Sequence, residues 1–517
     1  MAIRLCGVFI LVAASIQDCD GVLRFASYYQ DHMVLQKSPE RAVVWGYGSE
    51  GAQVKFTLSG QYQQKISQAT VTNGTWRVTL DPVEAGGPYN VTAAVQNITA
   101  VLTDVLFGDI WLCGGQSNML FEVSQIFNAS EELKRAAHYP HVRTFMATLA
   151  QSKTEQTDLI DVQIPWSVPP LYLSGFSAVC WLFGRDLYDK LQYPIGLVES
   201  CWGGTPIEPW CSPRALQHCG LLQEAGGGPK VNSVLWNAMI HPLLNMTIKG
   251  AIWYQGEANT NYHQEKYNCS FPAMIDDWRM AFHQGSGGQT ALDFPFGFVQ
   301  LSTCEKKSKS DAYPNIRWHQ TADTGFVPNP RMQKTFMAVA MDLPDEKSPY
   351  GSIHPRDKQD VAFRLSLGAR AVAYGEQDVV FRGPFPSQIL STPKYLKITY
   401  DQKVSVTPSE NIFEGHFTSS TAGDPTRPSG DAPNTPDWLS HKPDSWTCIW
   451  VAVVNALTPS HSFIVPHCTD KTPSRACCCP STLALREAVT RFDLRTAPKL
   501  LAVNLPFLNK CQFGLVR

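Results

Sequence analysis

Four short segments of the chain hold residue types that could carry out acyl transfer. They are Gly114-Gly115-Gln116-Ser117-Asn118-Met119, Trp202-Gly203-Gly204-Thr205, Gln255-Gly256-Glu257-Ala258-Asn259 and Ile353-His354-Pro355. Acyl transfer needs a nucleophile, a base to take its proton and N–H donors for the oxyanion that forms. Ser117, presented by a glycine-containing turn, is the candidate nucleophile. His354 is the candidate base, because a neutral imidazole within hydrogen-bond reach can take the hydroxyl proton. The candidate oxyanion donors are the backbone N–H of Ser117, the backbone N–H of Gly204, with Gly203 as the near alternative, and the side-chain amide of Gln255.

Taken singly, each segment has a blander reading. A serine in a glycine turn is usually a turn residue or a helix cap, and a Gly-Gly pair usually a tight turn. A buried glutamine is usually a satisfied polar bridge. His241-Pro242 repeats the His-Pro dipeptide at the end of a predicted helix and reads as structural. The Ser117 turn is also not the G-x-S-x-G elbow, since Met119 stands where the last glycine belongs. Shared placement is what gives the four segments weight.

That placement comes from the elements that must carry them. Five apolar runs, at residues 105–113, 193–199, 250–254, 294–301 and 335–342, alternate with helix-like stretches at 131–137, 178–191, 232–240, 272–282 and 360–374. Such alternation predicts an α/β domain with a parallel sheet over residues 105–385. Ligands bind beyond the carboxyl ends of the strands in open parallel sheets. The first three segments directly follow the first three runs, and a loop leads from the fifth run to His354. Residues 22–104 alternate β-formers with glycine-rich or polar breaks and predict a small β-sandwich. Residues 386–417 read as a β segment, and residues 418–517, with Cys477-Cys478-Cys479, as an irregular tail, partly disordered or aberrant.

The remaining composition bounds where such chemistry takes place. Arg4 precedes an apolar run over 5–14, followed by small residues, so residues 1–21 read as a signal peptide. No other stretch approaches the roughly 18 apolar residues of a membrane span. Asn73, Asn90, Asn97, Asn128, Asn245 and Asn268 each open an Asn-x-Ser/Thr sequon. Fifteen cysteines point to disulfides, with a local bridge expected among Cys201, Cys211 and Cys219. No Cys/His spacing suits zinc, so no metal is expected. A formal charge of −2 over 517 residues argues against a nucleic-acid partner.

Around residues 108–119, 201–210, 253–259 and 351–358 the chain resembles the sialate O-acetylesterases of animals, within the SGNH-type hydrolases. The resemblance runs from about residue 25 to 400 and fades beyond Phe417. It implies a flavodoxin-like, three-layer α/β catalytic domain flanked by β-structure, with no cofactor. It also implies hydrolysis of acetyl esters at the 9- and 4-hydroxyls of sialic acids, in the lysosome or outside the cell. The substrate partner is then an O-acetylated sialic acid or sialoglycoconjugate. The family's nucleophile falls on Ser117, its base on His354, and its second and third blocks on Gly204 and Gln255.

Two departures stand out. Related bacterial esterases read Asp-Ile-His-Pro, whereas this chain has Ser352 before Ile353-His354-Pro355. The acid that orients the base is then Asp342, Asp345 or Asp357, or the pair works as a dyad with a backbone carbonyl. The Pro- and Cys-rich tail does not match the family's β-rich end, as an alternative or shifted reading of the message would produce. Arginine would match the sialic acid carboxylate, and Arg317 and Arg356 lie in loops that could supply it, but both read more commonly as surface residues and are left out of the catalytic set. Two other readings remain: a catalytically impaired glycan-binding protein on an esterase scaffold, and an acetylesterase acting on another carbohydrate.

Overall fold

The structure is a computed structural model that describes residues 23–401 apart from 61–63, 223–226, 306–307, 309 and 392–394. Beyond residue 401 it describes only the strands Phe417–Ser420, Ser445–Cys448 and Phe463–Pro466. The expected signal peptide and most of the expected tail lie outside the described residues.

The amino-terminal part is built from two facing sheets. One joins Arg24–Phe25, Val43–Tyr47 and Thr75–Thr79, and the other pairs Gln53–Ser59 with Gln64–Thr70 and Gly86–Val95. Buried Phe56 and Trp76, one from each sheet, meet with ring centroids 6.5 Å apart. This is the expected β-sandwich. The expected boundary between residues 104 and 105 falls inside a single long strand, Ile98–Gly115. Its first half pairs antiparallel with Gly86–Val95, and its second half runs on into the central sheet.

The central strands are β1 (Ile98–Gly115), β2 (Val142–Ala147), β3 (Val162–Ser167), β4 (Ile195–Cys201), β5 (Gly250–Tyr254), β6 (Phe296–Gln300) and β7 (Thr335–Val339). Their order is β3-β2-β4-β1-β5-β6-β7. All neighbours are parallel except β3, an antiparallel edge strand. The fold is the expected flavodoxin-like, SGNH-type α/β arrangement, with a mixed rather than purely parallel sheet. Chain order reverses at β1, which lies between β4 and β5, and such a switch point opens a crevice at the strands' carboxyl ends.

Helices cover both faces. On one face, Trp111 of β1 meets Phe183 of helix α1 (Ala178–Leu191) at 5.0 Å, and Cys113 is disulfide-bonded to Cys180. On the other face, Trp253 of β5 packs edge-on against Trp278 of helix α2 (Tyr267–Gly285) at 5.6 Å. Helix α3 (Lys358–Val372) shares the first face, with Gly368 against the Phe336 ring of β7. Trp111, Trp181, Trp253 and Trp278 are fully buried, so these rings fill the layers and do not face solvent.

Several local expectations are corrected. The region expected as a helix over 232–240 is a π-helical turn, Trp236–Ile240, followed by a 3-10 turn, His241–Leu243. The local bridge among Cys201, Cys211 and Cys219 does not form. Cys219 is bonded to Cys269, at the start of α2, while Cys201 and Cys211 are free and buried. Among the described residues, no helix is long and apolar enough to cross a membrane.

Candidate active site

The nucleophile's turn begins where β1 ends. Gly115 has φ +144°, and a Cβ there would meet the Tyr254 carbonyl oxygen at 2.2 Å, so only glycine fits this turn. Gln116 then donates its backbone N–H to Tyr254 O at 3.0 Å, and Ser117 opens a single helical turn, Ser117–Leu120. The Gln116 side-chain oxygen accepts from the backbone N–H groups of Gly256 and Ala258, at 3.4 and 3.2 Å. This locks the first segment to the third.

The second segment folds over the same turn. Trp202 donates its N–H to Gly115 O at 3.0 Å, and a Cβ on Gly203 would lie 3.4 Å from that of Ser117. Gly204 is exposed with φ +72°, a left-handed conformation suited to glycine.

His354 arrives on the loop between β7 and α3. Its backbone N–H bonds to Gly351 O at 2.9 Å, and its carbonyl accepts from the Ser348 hydroxyl at 2.7 Å. Its ring lies nearly parallel to that of buried Phe121, 6.3 Å away. Nε2 is 2.9 Å from Ser117 Oγ, and Nδ1 is 2.8 Å from the Tyr350 carbonyl oxygen. A carbonyl only accepts, so Nδ1 carries the proton and Nε2 turns its lone pair to the serine hydroxyl. Residues 237 apart in sequence thus meet at proton-transfer distance.

The three candidate acids, Asp342, Asp345 and Asp357, are engaged elsewhere, which leaves the alternative of a pair with a backbone carbonyl. Asp342 is held bidentate by Arg364, at 2.6 and 2.8 Å. Asp345 is clasped by Arg356, at 2.6 and 3.0 Å, which holds its carboxyl below the usual carboxylate range. Asp357 caps helix α3 by accepting the N–H of Asp360. The backbone carbonyl of Tyr350 takes the place of an acid.

Gln255, by contrast, is corrected. Its amide donates to Asn259 Oδ1 at 2.8 Å and to Thr205 O at 3.2 Å, and its oxygen accepts from the Tyr267 hydroxyl. Both N–H bonds are spent within a fully buried side chain, leaving none for an oxyanion. Gln255 instead supports the loop that carries Gly203 and Gly204. Arg356 is committed to Asp345, and Arg317 is buried, touching the carbonyls of Leu301 and Ser302 at 3.4 Å. Burial pushes the Arg317 guanidinium down to about 10.

Three residues that the sequence reading gave no role lie directly behind the pair. Asn118 donates Nδ2–H to Glu257 Oε1 at 2.6 Å and to the Ile353 carbonyl at 2.9 Å. Lys358 donates from Nζ to Asn118 Oδ1 at 2.7 Å and lies over the Phe121 and Tyr254 rings. Burial pushes the Lys358 ammonium down to about 7 and raises the Glu257 carboxyl. Their signal was present in the sequence, since Asn118 adjoins Ser117 and Glu257 lies in the third segment. A lysine in a helix's first turn, however, reads as a solvated charge.

A serine hydroxyl and a neutral imidazole at the carboxyl end of a layered α/β sheet make the arrangement of a serine esterase. A family model described as carbohydrate esterase, sialic acid-specific acetylesterase matches residues 107–354. The human sialate O-acetylesterase is 54% identical over 414 residues, which cover 76% of this chain and 79% of that protein. The mouse sialate O-acetylesterase is 50% identical over 454 residues, covering 78% and 84%. A solved carbohydrate acetylesterase from Xanthomonas citri superposes with a TM-score of 0.67 at 27% identity, covering 86% of this chain and 93% of that one. The chain belongs to the sialate O-acetylesterase family.

Proposed function

We propose that the protein hydrolyses O-acetyl esters of sialic acids, at the 9- and 4-hydroxyls, through an acetyl-enzyme on Ser117. His354 takes the Ser117 proton as Oγ attacks the acetyl carbonyl carbon. The resulting oxyanion is held by the backbone N–H groups of Ser117 and Gly204, each worth on the order of 10²–10³ in rate. Collapse breaks the bond to the sugar oxygen, which takes the proton from His354 and leaves as the hydroxyl. Water, deprotonated by the same imidazole, then releases acetate and restores the serine. The single observation that carries this reading is the 2.9 Å contact between His354 Nε2 and Ser117 Oγ.

The secretory pathway, ending in the lysosome or outside the cell, is the proposed setting. The disulfides Cys113–Cys180 and Cys219–Cys269 suit an oxidising compartment. Asn73, Asn90, Asn97 and Asn128 are exposed and open to glycosylation. Asn268 is half-buried and donates to Asp323 at 2.6 Å, and half-buried Asn245 accepts from Arg77, so both are poorer acceptors of sugar.

The test is acetate release from 9-O-acetylated sialic acid and from acetylated xylan, by wild type and Ser117→Ala. The expected result is preference for the sialic acid and no turnover by the variant. Faster release from xylan would reassign the substrate, and equal turnover by the variant would remove Ser117 from its role.

A further inference from the structure

We propose that Asn118 is the positioning residue that holds His354 in line with Ser117, its amide fixed in one orientation by Glu257 and Lys358. The proposal rests on the esterase reading above. Asn118 is the chain neighbour of Ser117, and Ile353 is the chain neighbour of His354. The Nδ2–H to Ile353 carbonyl bond, at 2.9 Å, therefore ties the backbone beside the nucleophile to the backbone beside the base.

The base's segment needs such a tie. Ile353 is 37% exposed and His354 only half-buried, and beyond the Phe121 ring against the imidazole and Tyr350 apolar packing does little to hold them. Two other clasps on this loop, Ser348 to the His354 carbonyl and Arg356 to Asp345, close within the loop itself, and the Phe127 N–H to Arg356 carbonyl bond, at 3.3 Å, ties it to a segment beyond the nucleophile's turn. The Asn118 bond instead runs directly to the nucleophile's turn.

Donor and acceptor chemistry settles which way the amide faces. Lys358 donates from Nζ to the oxygen of Asn118. The Ile353 carbonyl and the Glu257 carboxylate are acceptors and must meet the nitrogen. A flipped amide would face acceptors with an acceptor and a donor with donors. Asn118 is 1% exposed, so water has little room to replace a lost bond. Removing the tie lets the imidazole drift, and a displacement of about 1 Å can cost about 10²-fold in rate.

The experiment compares wild type, Asn118→Ala and Asn118→Asp, with Ser117→Ala as the inactive baseline. It reads kcat and KM for acetate release, and thermal unfolding reports the folded fraction. The expected result is a fall in kcat of about 10²-fold per folded molecule. KM should stay within about threefold, and activity above the Ser117→Ala baseline. A kcat per folded molecule equal to wild type would overturn the proposal and leave Asn118 a stability residue. Should Asn118→Ala not fold, Asn118→Asp decides by the same criteria. It keeps the shape and the acceptor for Lys358 while losing both Nδ2 donors. Were wild type to release no acetate from any sugar, the substrate reading would fall. The rate of phosphonate labelling at Ser117 would then decide on Asn118, with unchanged labelling in the variants overturning it.

Discussion

The Nδ1 nitrogen of His354 bonds to the backbone carbonyl of Tyr350 at 2.8 Å, where many serine hydrolases place a carboxylate. The carbonyl fixes the same tautomer that a carboxylate would, because it too can only accept. It brings a partial charge instead of a full one to the imidazolium that forms during turnover. With Ser352 before Ile353-His354, the main chain at Tyr350 orients the imidazole in this geometry.

Asparagine substitutions at Asp342, Asp345 and Asp357 test this arrangement. Removing a true triad acid costs about 10⁴ in kcat. Each variant here should retain kcat/KM within about tenfold once folded. Asp345→Asn should fall most, because Arg356 beside the base's loop loses its partner. A loss near 10⁴ in any folded variant would show that its carboxylate reaches the base.

Glycines at the site should divide by what surrounds them. Gly115→Ala places a Cβ 2.2 Å from a backbone oxygen at φ +144°, and should destabilise the fold by at least about 2 kcal/mol. Gly204→Ala meets nothing within 4 Å and should cost about 1 kcal/mol, from its left-handed backbone alone. Denaturant unfolding of both variants measures the difference.

Much of this site was legible from the sequence, for identifiable reasons. Apolar runs made β1, β4, β5, β6 and β7 visible, and chemistry-bearing residues just past them marked the sheet's working edge. Strand β2 was hidden by Arg143, which is buried because His32 O and Asp104 satisfy its guanidinium. Strand β3 was hidden by Pro165, tolerated because β3 is an edge strand. The helix Ala312–His319 was missed because Pro314 sits in its first turn, where proline costs little. Helix α2 was expected to start at Pro272 but begins at Tyr267 and passes through it. Gln255 was misjudged, and the choice among Asp342, Asp345, Asp357 and a backbone carbonyl stayed open, because spacing cannot say which partner a polar side chain finds across the fold.

Burial raises the Glu199 carboxyl to about 8, where it accepts from the Ser177 N–H and the Cys201 thiol. Between an unfolded value near 4.5 and this value the folded state holds an extra proton, so stability is full at acid pH and falls as pH rises through the window. Glu199→Gln should remove that fall and raise Tm at pH ~7.5 more than at pH ~5. Calorimetry at the two values checks it, and equal shifts at both would contradict the assignment.

The buried free thiols give a fourth expectation. Burial raises Cys201 and Cys211 well above the usual thiol range, so neither should react with a thiol reagent in the native protein. Peptide mapping should find both labelled only after unfolding. It should also find Cys113 joined to Cys180 and Cys219 joined to Cys269. Breaking either bridge should cost about 2–5 kcal/mol.

The central claim is that His354 activates Ser117. The most direct measurement is phosphonate labelling followed by mass spectrometry of the digested protein, for wild type and His354→Asn. The account predicts one adduct, on Ser117, with a labelling rate at least about 10³-fold lower in the variant. An adduct on another residue, or equal labelling of Ser117 without the imidazole, would contradict it.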